Sequence, residues 1–164
     1  MCDVAKSARK EWLAHCERCR QYMVTLVGGF VTYCQIPHTG VVYLCWDQET
    51  QSYTEQEEGE HSFAGAMTFD DAGDCRLGIC LILTPRGEQP WVSFGLLVSE
   101  SNGIMSLRLE RDKAVRLDLE NRSQCDEFYQ NIVEKVKRSF TESEGPDTEP
   151  IGFKRSVLAA GDGQ

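Results

Sequence analysis

The chain has 164 residues, of which 41% are hydrophobic and 26% charged, proportions of a folded globular protein rather than a disordered or fibrous one. Its 26 acidic and 17 basic residues give a charge of −9, which disfavours general binding to nucleic acid or to an anionic membrane. The first residues lack the apolar region of a secretory signal, and no stretch reaches the ~20 apolar residues of a membrane span. We therefore expect a cytoplasmic protein with reduced cysteines and no membrane partner.

A long amphipathic helix is predicted to begin after Asp3. Apolar residues recur at helical spacings of three and four, with basic and acidic residues between them. These apolar positions are Trp12, Cys16, Cys19, Met23, Leu26 and Phe30. Gly28 and Gly29 interrupt the pattern, so the helix either ends there or continues through them. We expect it to continue, because Ile36–Gly40 is the clearer stop signal.

After Gly40 the hydrophobic period changes from 3.6 to 2, which predicts strands. The predicted strands are Val41–Trp46, Gln51–Thr54, Ser62–Phe69, Cys75–Leu83, Trp91–Ser99, Ile104–Leu109 and Ala114–Leu119. Cys75–Leu83 is apolar on both faces, as expected of a central strand, and Gln51–Thr54 is a polar edge strand. Asn102-Gly103 is a typical hairpin turn. The pattern predicts an antiparallel β-meander of five to seven strands.

A second helix is predicted from Ser123 to Phe140, with an apolar stripe that packs on the sheet. The fold class is therefore α+β: a long N-terminal helix, the meander and a C-terminal helix. Residues 1–140 are expected to form one domain, 141–150 an acidic linker and 151–164 a C-terminal tail.

The negative charge is concentrated in residues 41–75, which contain nine acidic residues and neither Lys nor Arg. The segment is either a solvated loop that keeps an edge strand from pairing, or a docking surface for a basic partner. The candidate docking residues there are Glu55, Glu57, Glu58 and Glu60. A carboxylate metal site at Asp70–Asp74 is a weaker alternative, because it lacks the ligand spacing of an EF-hand.

Cys16 and Cys19 form a Cys-x-x-Cys pair on the predicted helix. Their position on the apolar stripe favours a role as small core residues. A zinc site or a redox pair is the alternative, and zinc would need further ligands. Cys75 and Cys80 are an odd number apart on a strand and should point to opposite faces, so they are a poor second pair.

We find no sequence motif that assigns a catalytic residue, a metal or a cofactor, and none is expected. The aromatic residues on predicted apolar faces indicate core packing. Alternatively, Trp46, Trp91 and Phe94 line a small-molecule pocket between a curved sheet and the long helix.

The tail contains a short apolar and basic segment that includes Phe153, Lys154 and Arg155. It is either a terminus without a role, a strand that folds back onto the sheet, or a peptide that docks into a partner.

The primary functional hypothesis is a non-enzymatic protein–protein interaction module, of adaptor, chaperone-like or inhibitor-like type. It would dock a protein partner through the acidic segment, the tail or a sheet face. The alternatives are a small-molecule-binding protein or enzyme with the pocket described above, and a thiol or zinc protein that uses Cys16 and Cys19. Oligomeric state is not predicted.

Overall fold

A computed structural model describes residues 2–55, 62–82, 91–141 and 154–156. Its first element is helix α1, Cys2–Tyr33, which runs unbroken through the two glycines as predicted. The helix continues because its core-facing stripe does. The buried residues of this stripe are Cys16, Cys19, Met23, Leu26, Val27 and Phe30. None of the helices in the described part of the chain is long and apolar enough to cross a membrane.

A seven-stranded antiparallel sheet follows, preceded by a short 3₁₀ turn, His38–Gly40. Its strands are β1 (Val41–Asp47), β2 (Ser52–Glu55), β3 (Thr68–Phe69), β4 (Cys75–Ile82), β5 (Trp91–Ser101), β6 (Ile104–Leu109) and β7 (Lys154–Ser156). The order of the main strands is β2-β1-β4-β5-β6, while β3 pairs with β4 and β7 pairs with β5. β4 is central and β2 lies at an edge, as their sequence patterns predicted.

The C-terminal helix, α3, spans Arg122–Thr141 and lies beside α1. It contributes Phe128, Tyr129 and Ile132 to the same buried cluster as the sheet. The Tyr129 hydroxyl donates a 3.0 Å hydrogen bond to the carbonyl of Leu26, which ties the two helices together. The α+β class and its arrangement of helix, antiparallel sheet and helix are thus confirmed.

Two predicted strands are wrong in detail. Residues 62–69 form a short helix, α2 (Phe63–Ala66), before the two residues of β3. The Ser62 hydroxyl accepts a 3.0 Å hydrogen bond from the amide of Gly65, and this N-cap outweighs the β-like pattern. In residues 114–119, pairing is limited to a single bridge between Val115 and Leu107.

The two faces of the sheet have different coverings. Alternate residues of β4 and β5, such as Ile79 and Phe94, face the helices and are buried. On the other face, Gly78 and Gly95 are paired in register, and the ring of Tyr53 lies over both. This face is therefore covered by an edge-strand side chain and the helical face by two helices. The predicted acidic linker and most of the tail lie outside the described residues.

Candidate functional site

The first half of α1 extends from the domain with all of its side chains exposed from Cys2 to Ala14. Val4 is 75% exposed, Leu13 51% and Trp12 43%. Trp12 lies one helical turn before the buried Cys16, so it continues the stripe that packs on the sheet farther along. An apolar stripe that nothing covers among the described residues is typical of an interaction surface.

This exposed half of α1 carries more positive than negative charge. Lys6, Arg9 and Lys10 lie within little more than one turn, and Asp3 and Glu11 flank them. Helical geometry places Arg9 beside the apolar stripe that includes Trp12, and Lys6 and Lys10 on the other side of the helix. A complementary surface would be apolar with carboxylates at its rim.

The carboxylate of Glu100 marks the boundary between the exposed and packed halves of α1. The Nε atom of Arg18 lies 2.9 Å from Oε1 and 3.0 Å from Oε2 of Glu100. The Nδ1 atom of His15 lies 3.1 Å from Oε2. Glu100 lies near the end of β5 with an almost buried side chain. The end of strand β5 thus holds α1 at the point where the exposed half of the helix begins.

His15 also faces a buried thiol. Its Nε2 atom is 3.9 Å from the Sγ atom of Cys19, one turn along the same helix. Burial raises the pKa of Cys19 to about 11, and the carboxylates of Glu100 and Asp74 act in the same direction. Cys19 is therefore a neutral thiol near pH 7 in the metal-free chain, and a metal ion that binds there would have to displace its proton.

The Cys-x-x-Cys pair is buried on the core-facing stripe, with Cys16 and Cys19 5% and 0% exposed. Cys75 is also buried, and its pKa is raised to about 12, first by burial and then by the nearby Cys19. Cys80 lies on the opposite face of β4, as the odd spacing predicted. The zinc and redox hypotheses for Cys16 and Cys19 stay predictions.

The three aromatic candidates for a pocket do not share one face. Phe94 faces the helices and packs edge-on against Phe30, with ring centroids 6.1 Å apart. Trp46 lies on the other face, 4.9 Å from the ring of Tyr53 and with the guanidinium of Arg76 5.0 Å from its ring. Trp91 is paired in register with Ile82 of β4. Phe94 thus contributes to the core between the sheet and α1, and Trp46 lies outside it.

A cleft of about 610 Å³ lies between α1 and α3, away from these aromatic residues. Its wall includes Gly28, Gly29 and Tyr129, together with the carboxylate of Asp126. Its polar groups come from both helices and from Gln35 and Glu120, which lie outside them.

The acidic candidates are only partly within the described residues. Glu55 is exposed at the end of the edge strand β2, while Glu57, Glu58 and Glu60 lie outside the described residues. At Asp70–Asp74, the Asp70 carboxylate accepts hydrogen bonds of 3.0 Å from the amides of Ala72 and Asp74. The Asp70 carboxylate is thus used to close a turn.

The tail folds back as a short strand. Lys154 and Arg155 of β7 are paired in register with Ser93 and Val92 of β5, and Phe153 lies outside the described residues. Since β4 and β1 separate β5 from β2, the backbone of this strand is not adjacent to the acidic edge.

No family model, curated protein or solved structure matches this chain. Functional proposals therefore depend on the geometry alone. The exposed half of α1 and the meeting of His15, Cys19 and Glu100 are the two features that sequence reasoning missed. The spacing of His15 and Cys19 by four was visible in the sequence, but nothing in it indicated Glu100.

Proposed function

We propose that this chain is a non-enzymatic protein–protein interaction module whose docking element is the exposed half of α1. The observation that supports this is the exposure of Trp12 and its neighbours on a stripe that is buried farther along the same helix. The proposed partner is a protein with an apolar groove bordered by carboxylates.

The chemistry of such a groove follows from the side chains that would enter it. Ala5, Ala8 and Trp12 are spaced by three and four residues, as are the residues with which an amphipathic helix contacts a hydrophobic groove. Trp12 would be the anchor, because a tryptophan buried in a pocket supplies a large share of binding energy. Arg9, which borders the stripe, would contact the acidic rim, and the net positive charge of this half of the helix would increase the rate of association at low salt.

A second copy of this chain is a less suitable partner for the same stripe. Two such helices packed on this stripe would bring Arg9 of both copies together at its border, and like charges oppose that contact. The acidic segment and the tail remain predicted docking elements for other partners.

The test compares two substitutions at equally exposed apolar residues. Trp12 and Ile104 are both 43% exposed, so Trp12→Glu and Ile104→Glu change similar surfaces on different elements. Partners captured by the wild-type chain are purified and titrated against all three proteins. We expect Trp12→Glu to weaken binding about tenfold or more, and Ile104→Glu to leave it unchanged.

Two outcomes would contradict the proposal. One is a partner whose affinity is unchanged by Trp12→Glu. The other is a wild-type dimer, measured by light scattering after gel filtration, that Trp12→Glu dissociates, because the stripe would then serve self-association. Binding to the partner should also weaken as salt is raised, and a salt-independent affinity would exclude the acidic rim.

A further inference from the structure

Three potential metal ligands from two separate elements meet at the base of the exposed helix. His15 and Cys19 are one turn apart on α1, and Glu100 reaches them from β5. One ligand atom from each residue can be chosen such that all three lie within 4.8 Å of one another. Imidazole, thiolate and carboxylate are the three kinds of side chain that bind zinc.

The separation of His15 and Cys19 suits a shared ion. Bonds of about 2.1 Å to nitrogen and 2.3 Å to sulfur place those atoms roughly 3.6 Å apart in a tetrahedral site. The distance between Nε2 and Sγ is 3.9 Å, so a small movement of the two side chains toward each other would let both atoms bind one ion. The third residue, Glu100, contacts the opposite nitrogen of the same ring. A carboxylate in that position fixes the orientation of a histidine that binds zinc through its other nitrogen.

The turn Asp70–Asp74 lies against the imidazole ring of His15. Gly73 is buried, with a φ of +81°, and a Cβ atom there would lie 2.5 Å from Cδ2 and 2.9 Å from Nε2 of His15. Glycine therefore lets the turn approach the imidazole ring. The same turn brings the negative charge of Asp74 close enough to influence Cys19, which favours a cation.

Catalysis by a Cys–His–Glu triad is the competing explanation for this geometry. A nucleophilic thiol must reach its substrate, and the side chain of Cys19 is fully buried. An ion requires far less access than a substrate, and His15 is 19% exposed. Arg18 also binds Glu100, which helps to hold that carboxylate against the imidazole.

We propose that His15, Cys19 and Glu100 form a binding site for a zinc-type divalent ion. The two helix residues bind it directly, through Nε2 and Sγ, and Glu100 holds the imidazole through Nδ1. Cys16 and Cys75, although near, are not ligands. This differs from a site built on the Cys-x-x-Cys pair, and it does not depend on the docking role of α1.

The test is a titration of the reduced, metal-free chain with Co²⁺, followed by displacement with Zn²⁺. We expect one Co²⁺ per chain, with a thiolate-to-cobalt absorption band that Zn²⁺ abolishes. Cys19→Ser should remove the band, and Cys16→Ser should retain it. His15→Gln and Glu100→Gln should each weaken binding about tenfold or more. Because His15 is partly exposed, its variant tests the site without altering the core.

Three outcomes would overturn the proposal. They are the absence of a thiolate band in the wild-type chain, a band that survives Cys19→Ser, and a band lost equally in Cys16→Ser. Circular dichroism of each variant confirms that it is folded. Where Cys19→Ser is not folded, Zn²⁺ affinity that is unchanged in folded His15→Gln is sufficient to reject the site.

Discussion

Trp12 and Phe30 lie on the same stripe of α1, yet Trp12 is 43% exposed and Phe30 only 2%. The helix is about 48 Å long, and the sheet supports its second half. The stripe thus changes from core to surface beyond the contacts of Arg18 and His15 with Glu100.

Substitutions at these two aromatic residues should lower the free energy of unfolding by very different amounts. Phe30→Ala removes a ring packed against Phe94 and should lower the free energy of unfolding by about 3–5 kcal/mol. Trp12→Ala should change it by no more than about 0.5 kcal/mol, as is usual at an exposed position. Urea denaturation followed by circular dichroism measures both. A loss above ~1 kcal/mol for Trp12→Ala would show that the exposed half packs against the domain.

The adjacent glycines of α1 should respond in opposite directions to alanine. Nothing lies within 4 Å of a Cβ at the exposed Gly28, so Gly28→Ala should stabilise by about 0.5–1 kcal/mol through helix propensity. A Cβ at Gly29 would collide with the Tyr129 hydroxyl, which hydrogen-bonds to Leu26. Gly29→Ala should therefore lower the thermal midpoint while Gly28→Ala raises it. Equal shifts would contradict the packing of α3 on α1.

The ring of Tyr53 should be the reason why only glycine fits at position 95. A Cβ there would collide with the Tyr53 ring, so Gly95→Ala should destabilise by about 1–3 kcal/mol. In Tyr53→Ala the space is vacated, and adding Gly95→Ala should then cost less. A double-mutant cycle of unfolding free energies measures this coupling. Additive losses would mean that the ring does not lie over the glycine.

The buried thiols should make the protein less stable at alkaline pH. Folding raises the pKa of Cys19 from 9.0 to about 11 and that of Cys75 to about 12, mainly through burial. The two thiols therefore lose their protons at a lower pH in the unfolded chain than in the folded one. The stabilisation is complete below pH 9 and is lost as pH rises through 11–12.

Denaturation at pH 7.5, 9 and 10.5 measures this effect. Cys75→Ala should reduce the fall in unfolding free energy with pH by at most the contribution of one titrating thiol. The control is Cys2→Ser, because Cys2 is exposed. A decline that is identical in Cys75→Ala and the wild type would contradict the burial of that thiol.

Much of the fold follows from local pattern. The apolar stripe of α1 outweighed the low helix propensity of Gly28 and Gly29, and alternation located the central strand β4. The errors arose where short-range hydrogen bonds competed with pattern, as at Ser62, whose hydroxyl caps α2. An alternating segment also needs a partner strand, and around Val115 pairing is limited to one bridge.

The candidate sites were less predictable, for a different physical reason. A helical stripe has the same sequence pattern whether or not a surface covers it, so the exposure of Trp12 could not be inferred. The contact between His15 and Glu100 joins residues 85 positions apart, and depends on where β5 ends beneath α1. Only the tertiary structure brings them together.

Amide hydrogen exchange along α1 tests the docking proposal most directly. In the free chain, amides of residues 6–14 should exchange much faster than those of residues 16–30, because the exposed half lacks tertiary support. On addition of a purified partner, residues 6–14 should become protected at least tenfold while the sheet changes little. Unchanged exchange of residues 6–14 in the complex, or equal protection of both halves in the free monomer, would contradict the proposal.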